Sequence, residues 1–145
     1  MDGDPFNLKR FVEAQQGGFE QACAELRRGR KMGHWMWFIF PQIAGLGFSE
    51  MSQMYAIGSL AEARAYLKHE KLGPRLREIC RIVNGIEGRT AYQIFGSPDD
   101  MKLRSSMTLF ARATEENAEF VEVLRKYFGG DGDERTLKLI GGARG

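Results

Sequence analysis

"KMGHWMWFIFPQ", residues 31–42, holds both tryptophans of the chain, two of its ten phenylalanines, one of its two histidines and one of its four prolines. Read as a strand, it would set Trp35, Trp37 and Ile39 on one face and His34, Met36, Phe38 and Phe40 on the other. Read as a helical turn, it would stack His34 on Phe38 and Trp35 on Ile39. Neither periodicity leaves a polar face, so the segment is predicted to be buried on most sides and to end at Pro41. Its strongly apolar part, residues 35–41, is far shorter than the roughly 20 residues that span a bilayer, so membrane insertion is not expected.

The flanks of this run are helical in pattern. Upstream, Asn7 is expected to cap a helix reaching about Gln15 with Leu8, Phe11 and Val12 on one stripe. Gly17 and Gly18 break it, and a second helix is predicted from Phe19 to Arg28, with Phe19, Cys23 and Leu26 inward and Gly29 at its end. Downstream, residues 42–59 read as a glycine-punctuated loop with a helical turn over 50–57. Ser59 and Glu62 form a capping box for a helix to about His69, with Leu60, Ala63 and Leu67 inward. Gly73 and Pro74 open the next helix, striped by Leu76, Ile79, Cys80 and Val83 and closed by Gly85.

Residues 90–95 form a short apolar piece. Ser97 is then expected as a cap, with Pro98 at the first helical position and Asp99 and Asp100 in the first turn. Met101, Leu103, Met107, Leu109 and Phe110 predict a helix buried on a wide face. A further helix is expected over 117–128 with Phe120, Val121, Leu124 and Phe128 inward, and "RTLKLIG" reads as a helix turn or an edge strand. The expectation is a single domain over 1–145, mainly α, or α+β with at most a few short strands.

Composition narrows the functional classes. The 145 residues suffice for a self-stabilising core, and 43% hydrophobic against 28% charged residues is ordinary for a folded chain. The net charge of +2 gives little global steering toward nucleic acid, which is therefore not the expected partner. Local charge differs: Arg27, Arg28, Arg30 and Lys31 are either a solvated helix end, favoured by the helix dipole, or an anion site. Cys23 and Cys80 have no metal-ligand spacing and read as buried thiols of a reducing cytosol. The amino terminus lacks the pattern of a signal peptide, so a cytoplasmic location is expected.

Standard catalytic motifs are absent: no H-E-x-x-H, G-x-S-x-G or Walker loop occurs, and Gly45 and Gly47 begin a G-x-G-x-x-G that Glu50 fails to complete. No metal or cofactor is expected. What remains is a set of polar side chains near aromatic walls, suited to a small anionic, nucleotide-like ligand. Each has a plainer alternative. His34 is either a catalytic acid or base or a buried histidine bonded to a carbonyl. Trp35 and Trp37 are core or ring platforms. Asp100 is a helix-start residue or an acid, and Ser105 and Ser106 bond back to the preceding turn or act as nucleophiles.

The segments "ELRRGRKMGHWMWFIFPQIAGLGFSEMSQMYAIGSLAEARAYLKHEKLGPRL" and "IFGSPDDMKLRSSMTLF" closely resemble the bacterial and fungal family called domain of unknown function 1810, over about residues 6–140. That resemblance brings no activity with it. Some members carry the label calpastatin, but calpain-inhibitory segments are polar and disordered, unlike this chain. Residues 99–137 are also distantly similar to the NAD- and ADP-ribose-associated (YbiA-like) domains, mostly helical proteins implicated in cleaving N-glycosidic bonds. That likeness implies Asp100 and Lys102 near a ligand pocket. "SLAEARAYLK" stands where those domains have S-x-E-H-Y-F-Q, so their catalytic glutamate has no counterpart. Two readings result: a metal-independent N-glycosidic hydrolase of a nucleotide or ADP-ribose-like ligand, or a noncatalytic ligand- or protein-binding module. In either, Lys31, Lys102 and Arg104 hold phosphate, Trp35 and Trp37 wall a ring and Gln42 lends a polar contact; in the hydrolase reading His34 or Asp100 serves as acid or base, and in the other the same residues only hold the ligand or peptide. The oligomeric state stays open.

Overall fold

The computed structural model describes residues 3–144, with side chains to 141. Among these are ten helices and no strand: α1 (Lys9–Ala14), α2 (Gly18–Arg27), α3 (Met36–Ile39), α4 (Glu50–Met54), α5 (Leu60–Lys68), α6 (Leu72–Asn84), α7 (Ala91–Phe95), α8 (Asp99–Ala113), α9 (Ala118–Phe128) and α10 (Glu134–Arg144). The mainly α expectation holds. The strand-like element that remains is an isolated parallel bridge between Ile43 and Ile57, which ties off the loop after the aromatic run.

α8 is the hub, packed on α5, α7, α9 and α10, while α6 packs on α2, α5 and α9. The sequence of α8 explains its position: every residue from Ser105 to Phe110 is buried, and a helix apolar or small on nearly all sides must be enclosed. Phe110 lies 5.3 Å from Tyr66 and 5.9 Å from Phe120, ring centre to ring centre, and Tyr66 stands edge-on to Phe11 at 5.2 Å. This chain of rings joins α1, α5, α8 and α9; such pairs stabilise by about 0.5–1.5 kcal/mol each beyond burial.

Several local expectations are corrected. Asn7 is no cap: it takes φ +55°, and Asp4 accepts the Leu8 and Lys9 amides instead. Ser59 caps α5 through the Glu62 amide, but the Glu62 carboxylate turns to the Gly58 amide and to Arg10. The buried stripe of α5 is Glu62, Ala63 and Tyr66 rather than Leu60 and Leu67. Ser97 does not cap α8 either; Pro98 sits at the N-cap position, and Met101 is 44% exposed. In α9 the inward residues are Phe120, Val123 and Leu124, with Val121 45% exposed. The short apolar piece is the helix α7, opened by a Thr90–Gln93 capping box. The terminal segment is a helix, since Asp133 accepts from the Thr136 amide and hydroxyl and so caps α10.

Candidate ligand-binding site

The aromatic run is shaped by a carboxylate that the sequence gives little reason to single out. Glu25, on the inner face of α2, is buried. Its Oε1 accepts from the Met32 amide at 2.7 Å, the Gly33 amide at 2.9 Å and the Trp35 indole N–H at 2.9 Å, and its Oε2 accepts from Gln21 at 2.9 Å. Burial pushes the carboxyl up, but the bonds from Gln21, Gly33, Met32 and Trp35 outweigh it and bring it from 4.5 to about 2. Trp35 is thereby drawn fully into the core, and α3 follows as one turn carrying Met36 and Ile39 inward. The run is therefore neither strand nor extended wall. The visible signal was an acid among the inward positions 22, 23 and 26.

Beyond this turn, two lysines share one acid. Lys31 Nζ lies 2.8 Å from Asp99 Oδ2 and Lys102 Nζ 3.4 Å from Asp99 Oδ1. Lys31 is enclosed: its ammonium also donates to the Gly33 carbonyl and sits 5.1 Å from the Trp35 ring centre. Lys102 lies 4.9 Å over the ring of Trp37, and so the start of α8 is clamped to the aromatic run. Two ammonium groups on one carboxylate leave a surplus positive charge, carried by Lys102 on the more open side.

That side is a cleft in two adjoining lobes. The inner lobe, about 130 Å³, is lined by Trp37, Gln42, Ser52 and Tyr55 with the 43–47 loop. The outer lobe, about 240 Å³, runs past Gln42 and Ser52 to Lys102 and Ser105 on α8 and to Asp133 and Arg135 at α10. Together they reach the lower end of the sizes that take a small organic ligand. Trp37 Nε1 is buried and has no acceptor among the described residues, whereas buried indole N–H groups ordinarily have one. The rear of the loop is held by Arg10, which donates to the carbonyls of Phe6, Asn7, Met54 and Ala56 and to Glu62 at 2.7–3.0 Å.

The structure brings together Trp37, Gln42, Lys102 and Ser105 of the residues named from sequence. The others go elsewhere. Trp35 is core, bound to Glu25, and is no wall for a ring. Lys31 is a buried ion-pair partner. Arg104 points to the far side of α8, donating to the Asp131 carbonyl at 3.0 Å and lying 5.8 Å from the Phe128 ring. His34 is exposed rather than buried and lines neither lobe. Asp100 accepts from the Met101 amide at the helix start and lines neither lobe. Ser105 donates to the Met101 carbonyl and to Asp133, the back-bonded alternative, and Asp133 is committed as the α10 cap. Ser52, Asp133 and Arg135 were not recognised, because they reach the cleft from two segments far apart along the chain. No group of three or more potential metal ligands occurs among the described residues, and no helix among them is long and apolar enough to cross a membrane.

The family model described as "Protein of unknown function (DUF1810)" matches residues 5–140. The chain belongs to the DUF1810 family. A solved relative is the conserved hypothetical protein Rv1873 from Mycobacterium tuberculosis, 57% identical, with a TM-score of 0.94 over 95% of this chain and 99% of that one. At that identity the DUF1810 helical framework described above, α8 hub included, is common to both proteins. No curated protein matches the sequence.

Proposed function

We propose that this DUF1810 chain is a noncatalytic binding module for a small anionic molecule held in the two-lobed cleft. The observation that carries the reading is the surplus cation: Lys31 and Lys102 share the single carboxylate of Asp99, and Lys102 lines the outer lobe beside Arg135. A ligand phosphate or carboxylate would take up the free donors of Lys102, with the Arg135 guanidinium opposite. Asp133 also faces this lobe, but its Oδ2 already accepts from Ser105 and from Thr136. Gln42 and Ser52 add neutral polar groups at the junction of the lobes, and the Trp37 N–H would bond an acceptor on the part of the ligand in the inner lobe.

Binding is favoured over N-glycosidic hydrolysis because the acid and base that hydrolysis needs must flank the scissile bond, and neither His34 nor Asp100 lines the cleft. A nucleotide-like ligand fits the reading, although Lys102 already covers one face of Trp37. That leaves at most the other face of the indole to its ring.

Thermal-shift measurements with phosphate, pyrophosphate, ribose 5-phosphate, AMP and ADP-ribose test the proposal, since a ligand that binds only the folded state raises Tm. A shift with at least one of these, lost in Lys102→Met and weakened in Gln42→Ala, is expected. Chromatography of the same mixtures should show the ligand intact; a released base or ribose would restore the hydrolase reading. An unchanged Tm with every compound at millimolar concentration, or a shift that Lys102→Met leaves intact, would overturn the assignment.

A further inference from the structure

A second cationic surface shares no lining residue with the cleft. It is assembled where α2 and α6 end and α7 begins. Gly29, at φ +85°, lies directly beneath Arg89: a Cβ built on Gly29 would meet Arg89 Nε at 3.1 Å and Cδ at 3.4 Å. Arg89 therefore crosses the backbone between Arg28 and Arg30, lining one groove with Arg28 and a second with Arg30, so that three arginines from two distant segments share one surface. None of the three has a carboxylate within 4.0 Å or a side-chain hydrogen bond among the described residues, and all three are exposed.

The grooves on either side of Arg89 extend this charge. One is bordered by Arg27 and Arg81, the other by Tyr92, 64% exposed. The acids nearby are engaged: Glu78 stands 3.8 Å from Arg27, Glu119 bonds Arg77 and Arg81, and Glu87, at the groove edge, lies 3.7 Å from Lys126. The dipoles of α2 and α6 favour cations at these carboxyl ends, which accounts for Arg27, Arg28 and Arg81. They do not account for Arg89, which comes from the 85–90 loop and is laid over Gly29. Placing it there brings like charges together, an arrangement that an anionic partner offsets.

We propose that this surface binds the backbone of single-stranded nucleic acid, with Arg28, Arg30 and Arg89 on consecutive phosphates and a base stacked on Tyr92. Guanidinium forks match phosphate oxygens in pairs, and an open cationic groove with an aromatic face beside it is the general form of a sequence-tolerant single-strand site. The chain's net charge of +2, which spoke against nucleic acid, averages over the whole surface and conceals this concentration.

Fluorescence anisotropy with 5′-labelled 20-mers of oligo(dT) and oligo(U), from about 50 to about 300 mM NaCl, tests the proposal. Binding is expected to weaken with salt at a log–log slope of about −2, corresponding to three neutralised phosphates. The triple variant Arg28→Ala/Arg30→Ala/Arg89→Ala should lose at least tenfold in affinity and most of that slope, with circular dichroism unchanged because the side chains are exposed. Should it fold poorly, Arg89→Lys keeps the charge, loses the fork and is expected to weaken binding about threefold. Tyr92→Ala should lose about 5- to 100-fold with the slope retained. No binding at the lowest salt, binding indifferent to these substitutions, or full competition by millimolar inorganic phosphate or AMP would each overturn the proposal, the last by assigning the site to free anions. Loss of oligonucleotide binding would leave the cleft ligand untouched, because Lys102 and Gln42 take no part here.

Discussion

Replacing Glu25 by glutamine should remove a charge around which residues 32–35 are organised. In the native protein this carboxyl titrates at about 2 against an ordinary 4.5, because four N–H donors surround it. At roughly 1.4 kcal/mol per pH unit, that depression corresponds to about 3 kcal/mol of stability at neutral pH. The sign follows from the direction: a carboxyl depressed on folding contributes in full well above its unfolded pKa of 4.5 and is lost as pH falls toward 2. Glu25→Gln keeps one oxygen for the Met32, Gly33 and Trp35 donors, but it turns an amide NH2 toward Gln21. We therefore expect a loss of about 2–3 kcal/mol, or about 6–10 °C in Tm for a chain of this size. Urea denaturation of both proteins should show that gap at pH 7 and less than half of it at about pH 3. A gap absent at pH 7, or equally large at both values, would refute the claim that the ionised carboxylate, rather than side-chain shape, holds the loop.

Other substitutions probe separate parts of the same argument. Phe110→Ala, at the meeting of three aromatic rings in the core, should cost about 3–5 kcal/mol in chemical denaturation. Arg10→Ala removes five bonds, three of which join α1 to the 54–62 region. It should destabilise by about 2–4 kcal/mol and speed amide hydrogen exchange at residues 54–58 more than in α9. Trp37→Phe discards an N–H that has no acceptor, so stability should change by less than about 1 kcal/mol while affinity for a cleft ligand falls. Cys23 and Cys80 are buried, with burial pushing the Cys23 thiol up to about 11 and the Cys80 thiol higher still. A thiol reagent at pH 8 should label neither until denaturant is added, and labelling of the native protein would contradict their packing.

Short-range periodicity was enough to make much of this protein legible. The amphipathic stripe of α6 emerged with its four inward residues intact, α2 and its closing glycine were evident, and the mainly α class followed from the spacing of Leu, Ile and Phe. Such signals succeed because burial against one neighbour leaves a pattern along the chain itself. The aromatic run had no such pattern. Its path depends on Glu25, which lies in another helix and whose role becomes visible once three donors from residues 32–35 and one from Gln21 surround it.

The same division applies to the sites. Lys102, Trp37 and Gln42 could be picked out as residue types suited to a ligand, but sequence order cannot tell that Lys31 spends its charge on Asp99 or that Arg104 faces the opposite side of α8. A side chain's availability is settled by its partners, and those come from segments distant along the chain. Asp133 and Arg135 enter the cleft across such a distance, and Arg89 reaches its separate surface in the same way, lying over Gly29 sixty positions away. Composition and local spacing determined which elements form and which residues are chemically able to act. Tertiary packing alone decided which charges are consumed in holding the fold and which remain free to meet a partner.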